Sequence, residues 1–248
     1  MTSLRAVLFD LDGVLTPTAE LHMRAWADLF APYCEALGLA PYTPADYFAH
    51  IDGKPRYDGV ATFLASRGVE LPRGTAADAP GEGTVCALGN RKDEIVNGLF
   101  ATEGIEPYPG SVRFLDAVTD AGALVAVVSS SRNTPSVLAA AHLADRFDVV
   151  VDGNVAAAEH LPGKPAPDTY LRAAERLGVP ASESIVVEDA LSGVQAGAAG
   201  PFGLVIGVDR GVGAQLLRTH GADLVVADLG ELDASVLETP APGRETRA

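Results

Sequence analysis

The chain has 248 residues, 48% of them apolar, with 18 basic and 33 acidic side chains and a net charge of −15. That composition predicts a packed α/β core with room for a modest second unit, and it excludes global disorder. The acidic balance repels nucleic-acid phosphates and anionic membranes, so neither is an expected partner, and a phosphorylated substrate would need positive charge gathered locally against the global field.

Leu4–Phe9 is a short apolar run that stops at Asp10, and it reads as a buried strand feeding a loop. Four further runs behave in the same way: Ala123–Val128 stops at three serines, Phe147–Val151 at Asp152, Ile185–Val187 at Glu188-Asp189, and Gly203–Val208 at Asp209. Helical patterns over Ser111–Ala121, Pro135–Ala144, Ala166–Leu177 and Ser192–Ala199 separate most of them. Alternating strands and helices indicate parallel βαβ units, whose ligands collect at the carboxyl ends of the strands. Thr16–Pro109 breaks the alternation: Leu21, Ala25, Trp26, Leu29 and Phe30, and later Val85, Leu88, Ile95, Val96 and Leu99, recur at helical spacing. We therefore expect an α/β protein in which residues 1–15 and 110–237 form a Rossmann-like parallel-sheet core. Residues 16–109 form an inserted helical cap containing a Pro/Gly-rich loop at 72–83, and 238–248 form a disordered tail.

Cys34 and Cys86 show no metal-binding spacing, and the sequence leaves a disulfide between them open. Asp10 and Asp12 interrupt the N-terminal apolar run, which is not a signal peptide, and no apolar run is long enough to span a bilayer. A cytoplasmic monomer is expected.

Four constellations carry chemistry. Asp10 and Asp12 lie two residues apart at a strand end, before a turn-permitting Gly13. Such a pair suits nucleophilic attack by one carboxylate and proton transfer by the other, and an acidic strand-terminating turn has the same pattern. Glu188 and Asp189 are costly at a buried strand end unless paired or metal-bound; with Asp10 they form a hard-oxygen set suited to Mg²⁺, while acids before a helix are also ordinary N-terminal residues. Lys164, set between Gly163 and Pro165, is one of the few cations beyond the cap and is suited to neutralising a phosphoryl oxygen. Ser129, Ser130, Ser131, Arg132 and Asn133 lie at a strand end before a helix, where hydroxyls and N–H groups serve either an anion or a helix cap.

Together, Asp10-Leu11-Asp12-Gly13, Ser129, Lys164 before Pro-Ala-Pro-Asp, and Glu188-Asp189 resemble the haloacid dehalogenase superfamily in order and spacing. Thr18-Ala19-Glu20 with His22, Arg56 after Gly53-Lys54-Pro55, Arg91-Lys92, and Ser131-Arg132-Asn133 are similar to the β-phosphoglucomutase group within it. Pro17, where the group often has an acid, and the 72–83 loop depart from the pattern. The resemblance implies a C1-type cap and a reaction in which Asp10 becomes an aspartyl phosphate. Mg²⁺ would be held by the Asp10 carboxylate, the Asp12 carbonyl and Asp189, with Glu188 in support. Lys164 and Ser129 would bind the transferring phosphoryl group, and Asp12 would move the proton, positioned by Thr18 and His22. Arg56, Ser131 and Asn133 would hold a second phosphate, Ser130 and Arg132 would also bind substrate, and Lys92 would contact the sugar or assist closure. The implied activity converts β-glucose 1-phosphate to glucose 6-phosphate through a bisphosphate. A sugar-phosphate phosphatase is the alternative, and a non-catalytic phospho-ligand module is disfavoured because it needs neither a nucleophile nor a proton carrier.

Overall fold

The structure, a computed structural model, describes residues 4–239. From residue 240 onwards the expected tail lies outside the described residues. The chain divides into two units, one formed by Met1–Pro17 with Glu106–Ala248 and the other by Thr18–Ile105.

The first unit is built on six strands: β1 (Ala6–Phe9), β2 (Leu124–Val128), β3 (Val149–Val151), β4 (Ser184–Glu188), β5 (Leu204–Val208) and β6 (Leu224–Val226). Their order is β3-β2-β1-β4-β5-β6, and every neighbouring pair is parallel. All of β1, β4 and β5 is buried, which is why these strands read as continuous apolar runs rather than alternating ones. Strand order reverses at β1, so the crevice at the carboxyl ends opens beside that strand. Phe9 is level with Val127 of β2 and with Val187 of β4, which carries the next residues, Asp10, Val128 and Glu188, to one height.

Crossover helices are α5 (Pro109–Asp120), α6 (Thr134–Ala140), α7 (Gly153–Ala158), α8 (Asp168–Leu177), α9 (Leu191–Ala199) and α10 (Ala214–Thr219). Phe114 of α5 meets Phe9 edge-on at 6.0 Å between ring centroids, and Phe147 meets the same ring at 6.1 Å. The structure adds β6, α7 and α10 to the elements expected from sequence. It also ends α6 four residues early. His142 takes a left-handed φ of +57° and the Leu143 N–H returns to the Leu138 carbonyl at 2.8 Å, a helix-ending turn made without glycine.

The second unit is helical: α1 (Thr18–Ala36), α2 (Pro44–Asp46) running into a wider turn at Tyr47–Ile51, α3 (Arg56–Ser66) and α4 (Val85–Glu103). Its core stacks Trp26 on Phe30 at 5.4 Å and sets Phe30 against Phe63 at 4.1 Å. The 72–83 segment is irregular but anchored: Asp78 accepts from the Thr75 and Thr84 hydroxyls, and its carbonyl accepts from Asn90 Nδ2 at 2.8 Å. Among the described residues, Cys34 and Cys86 are buried and neither forms a disulfide. Among the described residues, no helix is long and apolar enough to cross a membrane.

Phe114→Ala should cost about 3–5 kcal/mol, because it empties a fully buried ring site against the central strand. Leu124→Ala, at a position 36% exposed, should cost much less. Urea unfolding of the two variants checks this, and equal losses would contradict the assignment of Phe114 to the core.

Candidate active site

Asp10, Lys164, Glu188 and Asp189 meet just beyond Phe9. Asp10 begins where β1 ends, its N–H still bonded to the Val187 carbonyl at 2.9 Å, so the backbone ladder fixes where the carboxylate starts. Lys164 arrives from the loop before α8, through a cis peptide to Pro165. Its Nζ donates to Asp10 Oδ1 at 2.6 Å, Glu188 Oε1 at 2.5 Å and the Val128 carbonyl at 3.1 Å. An ammonium has three donors, and these acceptors match all three. The side chain is 1% exposed.

Glu188 is held from every side. Tyr170 Oη donates to Oε1 at 3.2 Å, and the Ala190 N–H donates to Oε2 at 2.8 Å. Gly193, on the first turn of α9, leaves the space it occupies; a Cβ there would fall 1.7 Å from Oε1. Asp189 likewise packs on Gly13, whose φ is +84° and whose missing Cβ would lie 1.9 Å from Asp189 Oδ2. Glycine in the acidic motif therefore serves both the turn and the close approach.

One carboxylate oxygen each from Asp10, Glu188 and Asp189 lies within 4.8 Å of the others, and all three residues are buried. The set fits a small, hard dication such as Mg²⁺: the donors are carboxylates, and they outnumber the ammonium beside them. Glu188 has both oxygens engaged, which suits it to fixing Lys164 beside Asp10.

The charge balance shows in the proton affinities. Burial, reinforced by Glu188 and Asp12, outweighs Lys164 and pushes the Asp10 carboxyl well above the usual carboxylate range. Burial alone would lower Lys164, but Asp10 and Glu188 outweigh it and hold the ammonium well above its ordinary value. One cation cannot neutralise several buried carboxylates, so a proton or a dication is favoured at Asp10.

Ser129 is buried at the end of β2, and its hydroxyl accepts from the Ser131 N–H at 3.1 Å. Ser131 Oγ accepts from the Asn133 N–H, and the carbonyls of Ser130, Ser131 and Arg132 turn towards the start of α7. The core unit thus brings Asp10, Lys164, Glu188 and Asp189 into one cluster, with Ser129 at the end of the adjoining strand. Thr18, His22, Arg56 and Lys92 lie in the helical unit. There His22 Nδ1 and Lys92 Nζ are 2.6 Å apart, Lys92 sits over the Trp26 ring, and Arg56 pairs with Asp93 at 2.9 Å.

The haloacid dehalogenase-like hydrolase family model matches residues 4–200. The chain belongs to this family. It is 52% identical over 239 residues to a β-phosphoglucomutase of Mycobacterium tuberculosis, covering 92% of this chain and 91% of that one. A solved β-phosphoglucomutase from Clostridium difficile superposes with a TM-score of 0.76 at 23% identity, covering 95% and 96% of the two chains. CbbY from Rhodobacter sphaeroides, solved with xylulose-(1,5)bisphosphate, gives 0.69 at 26% identity over 92% and 96%.

Tyr170 escaped the sequence reading. It sits on the apolar stripe of α8 and reads as core, and only its Oη, six residues after Lys164, carries the polar signal.

Mg²⁺ should raise the melting temperature, and by more as pH rises. Because the folded pKa of Asp10 is raised, its favourable contribution is fully present in acid and is lost as pH climbs from the ordinary carboxylate range through the folded value. A dication there displaces the proton and relieves the repulsion that replaces it. Asp189→Asn should shrink the shift. Thermal melts with Mg²⁺ or EDTA across pH 5–8 test this; a shift independent of both pH and Asp189 would contradict the centre.

Proposed function

We propose that this chain interconverts β-glucose 1-phosphate and glucose 6-phosphate by Mg²⁺-dependent phosphotransfer through Asp10. The observation that carries the reading is the buried Asp10 carboxylate with Lys164 at 2.6 Å and two further acids beside it. The 52% identity to a β-phosphoglucomutase along nearly the whole chain supports the sugar assignment.

In this reading an Asp10 oxygen attacks phosphorus in line while the bond from phosphorus to the sugar oxygen breaks. Asp12 gives the departing oxygen its proton and takes one from the next hydroxyl to attack. Lys164 and Ser129 neutralise and orient the transferring phosphoryl oxygens, and Glu188 with Tyr170 keeps Lys164 in place. Asp10, the Asp12 carbonyl and Asp189 would hold Mg²⁺, which when bound supplies positive charge to the phosphoryl group. A mutase must release a sugar bisphosphate, or turn it over, and accept it with its phosphates exchanged, so the non-transferring phosphate needs its own cations. Arg56 is assigned to it, together with Ser130, Ser131, Arg132 and Asn133, while Thr18 and His22 position Asp12 and Lys92 contacts the sugar.

Product analysis with β-glucose 1-phosphate, Mg²⁺ and a bisphosphate primer should give glucose 6-phosphate, and Asp10→Asn should abolish it in a folded protein. Free phosphate and glucose as the main products would make the chain a sugar-phosphate phosphatase instead. Turnover in folded Asp10→Asn would remove the nucleophile assignment.

Arg56→Ala should lower kcat/KM for the sugar phosphates by about 100-fold or more while largely sparing hydrolysis of acetyl phosphate, which has no second phosphate. Arg56→Lys should recover part, since an ammonium lacks the planar fork. Asp93 holds the guanidinium at 2.9 Å, so loss of Arg56 also frees a carboxylate. Arg56→Ala/Asp93→Ala separates the two effects. Equal losses on both substrates would place Arg56 in folding or at the transferring phosphate.

A further inference from the structure

Three successive carbonyls after the Asp10–Asp12 pair are each held by a donor from far along the chain. Arg210 Nε donates to the Gly13 carbonyl at 2.9 Å, Ser111 Oγ to that of Val14 at 2.6 Å, and the Tyr108 N–H to that of Leu15 at 2.9 Å. Within the turn, the Gly13 N–H bonds to the Thr16 carbonyl, and the Leu15 and Thr16 N–H groups share the Leu11 carbonyl. Only one of the three outside donors, Arg210, is charged, and it grips the residue next to Asp12.

Arg210 is itself over-determined. It follows the carboxyl end of β5, where the Asp209 carboxylate accepts from the Gly211 and Gly213 N–H groups at 3.0 and 2.9 Å and fixes the turn. Its guanidinium lies over the Tyr108 ring, 3.8 Å from the centroid. Nη1 donates to the Ala227 carbonyl at 3.2 Å and stands 3.6 Å from Asp228. Among the described residues Nη2 is buried without a hydrogen-bond partner, so the ring and the two carbonyls set the orientation. Such a stack needs a planar cation, which lysine does not supply.

We propose that Arg210 is a positioning residue for phosphoryl transfer. Gly13 has φ +84° and no Cβ, so its backbone has more accessible states than any other residue type would allow there. Left to itself, that freedom passes to Asp12, one bond upstream. The charge-assisted bond from Arg210 fixes the Gly13–Val14 peptide and removes that freedom, keeping the proton carrier and its carbonyl in register with Asp10. This rests on the reading of Asp10 and Asp12 as the reacting pair.

Two measurements on the full chain test it, using Arg210→Met, which keeps an apolar stem, and Arg210→Lys, which keeps one donor. Amide hydrogen exchange, recorded without substrate, should accelerate about 10-fold or more at Gly13, Leu15 and Thr16 in Arg210→Met while the strands exchange as before. Turnover of β-glucose 1-phosphate should show kcat reduced about 10–100-fold with KM changed less than about 3-fold, and Arg210→Lys should fall between. Unchanged exchange at the three amides overturns the proposal, as does acceleration spread evenly over the core, which would mean plain loss of stability. A raised KM with kcat intact overturns it too, by making Arg210 a substrate ligand. Should the wild-type chain turn over no sugar phosphate, the reading of the reaction fails, and the exchange measurement still decides whether Arg210 holds the loop.

Discussion

A buried ammonium among buried carboxylates is the interaction on which the core unit depends. Lys164 has no solvent to fall back on, and each of its three donors is placed within reach of an acceptor by a different strand: Asp10 after β1, the Val128 carbonyl at the end of β2, and Glu188 at the end of β4. Those acceptors share a height only because β1 is in register with both neighbours. Removing the lysine would leave uncompensated buried charge, a change that typically costs several kcal/mol. Yet one cation does not balance three acids, and the residual negative charge is what gives the cluster an appetite for a dication.

The neighbourhood is fixed by subtraction as much as by contact. Glu188 can turn back under α9 because Gly193 has no side chain, and Asp189 can lie against the first loop because Gly13 has none. Both glycines trade conformational restriction for proximity, and the structure restores the restriction from outside. Ala190 caps Glu188 through its N–H. Donors from the end of β5 and the start of α5 hold the loop after Asp12. Carboxylates packed this closely tolerate little positional error, so backbone left loose at a glycine has to be held by something else.

The helical unit manages its cations differently. In a chain of net charge −15, Arg56 and Lys92 are not left to solvent: Asp93 takes Arg56, and Lys92 is buried against His22 and the Trp26 ring. An anion paired with Arg56 would have to compete with Asp93, so the energy available from such a contact would be the difference between two ion pairs. Such a difference would favour a doubly charged anion over a neutral group and would serve discrimination more than raw affinity.

How much of this was legible follows from what each residue type signals by itself. Asp10, Glu188 and Asp189 stood out because acids at the ends of apolar runs are expensive, and Lys164 because cations were scarce around it. The first five strands were visible as apolar runs, with ends shifted by one or two residues. Leu224–Val226, as short as Val149–Val151, did not register, and α7 opens on glycine and owes its start to Asp152, whose carboxylate accepts from the Asn154 and Val155 N–H groups at 3.0 and 2.8 Å. Tyr170 and Arg210 were hidden for a deeper reason. Neither residue is unusual along the chain; each matters because of one atom, Tyr170 Oη or Arg210 Nε, that the fold carries to a backbone or side chain laid down much earlier or later. Sequence patterns report which face of an element is buried, whereas the support of a reacting group is a property of which elements meet. The clustered acids and the lysine among them can therefore be read from local cost, but the residues that hold them still become visible only once the parallel sheet has set the order in which the strand ends stand.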